Sequence, residues 1–193
     1  MKTLYWVSCI AMIIVSVLMV VSQQPMADPV VETYEVPEID PIVIHLPEHD
    51  PNTNVYSEKV PLTPGWQAYT QDTCRRYGID YALMLGLMET ESSFQFDADS
   101  GWAYGICQIG YINEDWLAEE GIDIHTKQGN IEASCVILSD LLSRYDVSRS
   151  LMAYNMGEFG AMDFWDQGIM ESQYSKDVMS ASERWEEVIN ATS

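Results

Sequence analysis

All eight prolines of this chain lie between Pro25 and Pro64, and none follows before the chain ends at Ser193. Proline lacks a backbone donor and fixes φ, so it breaks helices and is kept out of central strands. A chain divided in this way is expected to build its folded body from residue 65 onward. Residues 23–64 carry eight acidic side chains, one lysine and no glycine. Self-repelling charge and proline together extend such a segment into a linker. At about 3.1 Å per residue it would reach on the order of 100 Å.

Ahead of the linker, residues 4–21 form an uncharged, mostly apolar run behind Lys2. An uncharged, mostly apolar run of eighteen residues just spans a bilayer core and exceeds the usual secretory h-region, so residues 1–22 read as a transmembrane anchor or a signal peptide. A positive residue before the run and an acidic region after it place the remainder outside the cytoplasm. The expected location is the cell membrane, with the domain extracytoplasmic, or secretion if the chain is cut near Val20-Val21-Ser22. Membrane association would run through the N-terminal helix.

Residues 65–193 read as an all-α domain. Trp66, Tyr69, Thr73 and Tyr77 recur at helical spacing before Gly78, and Asp80 can cap a helix over 81–92 that is apolar nearly all round, as a central helix is. A loop over 97–102, short helices around 103–112 and near Trp116-Leu117, a long helix capped by Asn130, and helices over 146–157 and 172–190 complete the expectation. Alternating strand patterns are absent.

The net charge of −21, from 30 acidic against 9 basic residues, excludes nucleic acid as a partner, since phosphates are neutralised by clustered Lys and Arg. A neutral or weakly charged ligand fits better. No cofactor or metal is called for. The histidines (His45, His49, His125) show no ligand spacing, and there is no paired-cysteine motif, phosphate cradle or nucleophile elbow. The stretch Asp97-Ala98-Asp99-Ser100-Gly101 opens like a calcium loop, but its glycine comes one place early and no glutamate closes it. Cys74, Cys107 and Cys135 allow one disulfide with one thiol, or three buried thiols.

Two carboxylates interrupt the central helix. Glu89 and Glu91, at i and i+2, point about 200° apart and cannot share a site. One should face solvent and the other the interior or a cleft, where burial raises a carboxyl pKa and keeps a proton available near neutrality.

The neighbouring residues carry more. Glu91-Ser92-Ser93-Phe94, Asp97-Ala98-Asp99-Ser100, Ala103-Tyr104-Gly105-Ile106-Cys107-Gln108-Ile109, Asn130-Ile131 and Ala153-Tyr154-Asn155-Met156-Gly157 follow one another in order. The series resembles the soluble-lytic-transglycosylase-type (SLT) catalytic domain of the lysozyme-like superfamily, over roughly residues 66–179. The resemblance implies a lysozyme-like fold and cleavage of peptidoglycan glycan strands between N-acetylmuramic acid and N-acetylglucosamine. It makes Glu91 the catalytic acid/base and Ser100, Gln108, Tyr154 and, at lower rank, Asn155 substrate-side residues, with Tyr154 orienting the Glu91 carboxyl. It implies a 1,6-anhydro product formed without water, with lysozyme-like hydrolysis as the alternative. A non-catalytic wall-binding or scaffold protein is the rival of another class, and no residue names a protein partner. Departures from the pattern are Trp102 for a glycine, Cys107 for methionine, Gly110-Tyr111 where proline is common, and a Ser100-to-Gln108 interval one residue short. They bear on subsite shape. Trp102, Tyr104, Tyr111, Trp116, Phe159, Phe164 and Trp165 are candidates for stacking on sugars, two or three of them at a groove. Asp97, Asp99 and Glu114 are candidates for a second carboxylate.

Overall fold

The computed structural model describes residues 54–191. The expected anchor (1–22) and most of the expected linker lie outside them. Among the described residues no helix is long and apolar enough to cross a membrane.

Helix α1, Pro64–Tyr77, starts where Thr63 Oγ1 accepts from Trp66 N and proline occupies a first-turn position that needs no donor. It stops at Gly78, whose φ of +67° suits glycine. Asp80 Oδ1 accepts from Leu83 N at 2.8 Å and opens α2, Tyr81–Ser92. After it come β1 (Ala103–Tyr104), β2 (Ile109–Gly110), a 3-10 turn (Tyr111–Asn113), α3 (Glu114–Glu119), α4 (Lys127–Arg144), α5 (Val147–Met156), α6 (Glu158–Trp165) and α7 (Gln173–Asn190).

The core is built around α2. Met84, Leu85, Leu87 and Met88 are fully buried, each contributing roughly 1.5–3 kcal/mol through burial. The central position expected for this helix follows from its lack of a polar face. Helix α7 lies closest to it. At Gly86 a Cβ would fall 2.6 Å from the Val178 carbonyl oxygen and 2.7 Å from Ser182 N, so the two backbones nearly touch. The stripe Tyr174, Val178, Ala181, Trp185 and Ile189 turns α7 toward the core.

Four expectations need correction. The linker does not run to residue 64, because Val60 and Leu62 are buried. Gln67 and Gln71 of α1 pair with the backbone of Ser57 and Val55 at 2.8–3.1 Å, which lets this segment pack without a ladder of its own. The helix expected over 103–112 is a short antiparallel hairpin, Ala103 opposite Gly110 and Tyr104 opposite Ile109. Gly105 at φ +85° and Gln108 at φ +46° turn the chain where a helix would need φ near −60°. Helix α4 begins earlier than Asn130, at a Thr126 cap that accepts from Gly129 N. Helix α6 was not expected. It follows directly on Gly157 (φ +76°, ψ 152°), which breaks the chain direction after α5 without a loop.

Asn130, freed from capping, is buried inside α4 and ties the hairpin down. Its amide nitrogen donates to Tyr104 O (2.8 Å) and Ile124 O (3.1 Å), and its amide oxygen accepts from Cys107 N (2.9 Å). The three cysteines of this region are buried and free.

Candidate active site

Glu91 occupies the last turn of α2, and the chain leaves the helix under constraint. Ser93 N and Phe94 N bond back to Glu89 O and Met88 O while Ser93 and Phe94 hold φ of 52° and 64°. Ser92 Oγ donates to Ile106 O at 2.7 Å and so clamps the helix end to the hairpin. Among the described residues the non-glycine positive-φ positions are Ser93, Phe94 and Gln108. All three sit in motifs that flank Glu91. Such conformations persist only where surrounding bonds enforce them, and they gather at sites that need fixed geometry.

The two carboxylates of α2 point apart, as their spacing requires. Glu89 is partly exposed and accepts from Arg184 Nη2 (2.8 Å) and Trp185 Nε1 (2.7 Å) of α7. Glu91 turns inward and accepts from the Tyr174 hydroxyl, also of α7. Burial raises the Glu91 pKa from 4.5 to about 7, and the Tyr174 hydrogen bond works in the opposite direction. Burial also pushes Tyr174, Tyr154 and the Cys107 thiol upward, so these groups around the carboxyl remain neutral. A carboxyl that titrates near 7 can both donate and recover a proton at physiological pH.

Tyr154 does not take the place foreseen for it. Its hydroxyl donates toward Cys107 O (2.9 Å) and Ser134 Oγ (3.0 Å), bracing the hairpin against α4. Tyr154 lines a cleft of about 850 Å3 together with Gln108 and Asn155, and Glu91 is not among the cleft's lining residues. Gln108 Nε2 donates to Ala98 O (3.1 Å) and Gly105 O (2.9 Å), which leaves its amide oxygen as an acceptor. Ser100 is absorbed by its own turn: its hydroxyl accepts from Ala103 N at 3.0 Å, and it does not line the cleft. Of the second-carboxylate candidates, Asp97 is exposed, Asp99 accepts from Gly101 N, and Glu114 pairs with His125 Nε2 at 3.0 Å. None of the three bonds to Glu91.

Of the seven aromatic candidates, Trp102 and Trp116 line the cleft. Tyr104 and Tyr111 pack with His125, and Trp165 packs on Tyr145. Tyr174 was the residue missed. The signal was present: Ser172 and Ser175 make a capping box, and Tyr174 heads the apolar stripe of the helix they start. A tyrosine there must find a partner for its hydroxyl.

Residues 68–178 match the family model described as Transglycosylase SLT domain. Among solved structures the chain is similar to an inactive mutant of the lytic transglycosylase Slt from Pseudomonas aeruginosa, with 21% identity and a TM-score of 0.57. The match covers 69% of this chain and 25% of that one, so the likeness concerns one quarter of the larger protein and speaks for the fold. No curated protein matches the chain.

Proposed function

Because this chain belongs to the transglycosylase SLT domain family, we propose that it cleaves the β-1,4 bond between N-acetylmuramic acid and N-acetylglucosamine in peptidoglycan, with Glu91 as the general acid and base. One observation carries the reading: Glu91 is held at the end of a buried helix with its pKa near 7. In the first step Glu91 protonates the glycosidic oxygen, and the muramoyl acetamide oxygen supports C1 as the bond breaks. The carboxylate then takes the C6 hydroxyl proton while O6 closes on C1. The product is 1,6-anhydro-muramic acid, and Glu91 ends protonated as it began. This route needs no second carboxylate, which agrees with the separate engagements of Asp99 and Glu114.

Gln108 and Asn155, on the cleft wall, are assigned contacts with sugar hydroxyl and acetamide groups. Tyr154 and Ser100 act through the hairpin and turn they brace. Tyr174 takes the orienting role on Glu91. Residues 1–22, outside the described region, are read as the anchor or export signal that puts the domain on the wall side of the membrane.

Digestion of purified peptidoglycan by the chain, with mass analysis of the fragments, tests the reading. Products one water lighter than hydrolytic muropeptides are expected. Products of full hydrolytic mass would reassign the chemistry to hydrolysis, and intact strands would refute cleavage. Activity should fall as pH rises through about 7, where Glu91 loses its proton. Tyr174→Phe removes a bond that lowers this pKa, so the alkaline limb of its pH profile should move upward. A limb that stays fixed would remove Tyr174 from this role.

A further inference from the structure

Three large apolar side chains that line the cleft stand open to solvent: Trp102 at 85% exposure, Ile112 at 92% and Trp116 at 39%. Single exposed hydrophobic residues are ordinary, but a group of them around one concavity marks a binding surface. Two of the three are also anchored, Trp102 through its backbone and Trp116 through its indole. Trp102 sits in a turn where Asp99 Oδ1 accepts from Gly101 N (2.7 Å), Ser100 Oγ accepts from Ala103 N (3.0 Å) and Trp102 O accepts from Tyr111 N (2.9 Å). The Trp116 indole nitrogen donates to Asn113 Oδ1 at 3.1 Å, which limits rotation of its ring. A ring held like that of Trp116 binds with little loss of side-chain entropy.

The rest of the lining is mixed, with Val136, Ile137, Leu141 and Met156 beside the polar Gln108 and Asn155. Arg144, also on the lining, is paired with Asp140 (2.5 Å) and Glu158. The guanidinium is thus already committed to two carboxylates. It offers no free cation to the carboxylates of a stem peptide. A largely apolar slot with two tryptophans and a few polar groups such as Gln108 and Asn155 suits a neutral pyranose, which presents C–H groups on its face and hydroxyl and acetamide groups at its edge.

We propose that Trp102 is a specificity-determining residue whose indole stacks on a neutral N-acetylated sugar ring, in a subsite of the glycan cleft away from Glu91. The proposal rests on reading the cleft as the glycan groove, which it shares with Gln108 and Tyr154. Strands long enough to reach Trp102 should be bound and cleaved in preference to shorter ones.

The test uses the full chain as wild type, Trp102→Ala and Trp102→Phe. Binding of the peptide-free N-acetylglucosamine hexamer is followed by calorimetry and tryptophan fluorescence, and steady-state cleavage is measured on glycan strands. Trp102→Ala should weaken hexamer binding and raise KM about tenfold, with a smaller change in kcat, while Trp102→Phe keeps most of the affinity. Because the side chain is 85% exposed, circular dichroism should show an intact fold. Equal hexamer affinity for wild type and Trp102→Ala would overturn the proposal, as would absence of binding by both. If wild type binds the hexamer but leaves peptidoglycan uncut, the proposed activity fails, and the alanine variant's affinity still decides the stacking claim.

Discussion

Glu91→Gln is expected to leave a folded chain that no longer releases muropeptides, with the rate down by at least about 10^3-fold. Glutamine preserves the shape of the side chain and still accepts from the Tyr174 hydroxyl, so local packing survives. It has no proton to give and cannot take one back, and general acid–base catalysis alone contributes about 10^2–10^4. The same variant carries a second signature. In the folded chain the Glu91 pKa is about 7 against an ordinary 4.5. Between those values the native state binds more protons than the unfolded state, so stability falls as pH rises through this window. Above pH 7 wild type carries a buried carboxylate and has lost on the order of 1–3 kcal/mol. Glu91→Gln avoids that loss. It should melt higher than wild type at pH 8 and about level with it at pH 4. Full cleavage by the variant would remove Glu91 from catalysis. Equal melting at pH 8 would mean that the carboxyl is solvated.

The second large effect concerns packing. In Gly86→Ala the new methyl would sit 2.6 Å from Val178 O and 2.7 Å from Ser182 N, both backbone atoms that cannot rotate aside. Alanine improves helix propensity by about 1 kcal/mol, but forcing α2 and α7 apart costs more, about 2–4 kcal/mol in a tightly packed core. A net loss of about 1–3 kcal/mol lowers the melting temperature by roughly 2–12 °C in a domain of this size. Activity should fall with it, because α7 carries the Tyr174 that holds Glu91. Gly160→Ala is the control: its nearest neighbours are Met156 side-chain atoms at 3.6 and 3.7 Å, an ordinary contact. A Gly86→Ala chain as stable as the control would mean that the α2–α7 approach is looser than described.

Much of the helical frame was legible residue by residue. Asp80, Asp146 and Ser172 cap the helices whose starts they marked, since a short side-chain acceptor before an apolar period is local chemistry. The residues that carry the SLT resemblance are also local motifs, and the family match over residues 68–178 spans most of them. The hairpin was misread because strands of two residues are too short to show alternation, and its shape depends on Asn130, over twenty residues away. Residues 54–63 were misread because their backbone is satisfied by Gln67 and Gln71, not by a pattern of their own.

By itself, the order of residues determined that a proline-rich acidic segment precedes a helical body, that α2 is buried, and that Glu89 and Glu91 diverge. Each of these follows from backbone preference or from helical geometry over a few positions. Only the tertiary structure decided which tyrosine meets the carboxyl, turning Tyr154 to Cys107 O and Ser134 and bringing Tyr174 to Glu91. The physical reason is separation along the chain. Glu91 and Tyr174 lie 83 residues apart, and their contact, with the carboxyl pKa it tunes, exists only once α7 has closed on Gly86.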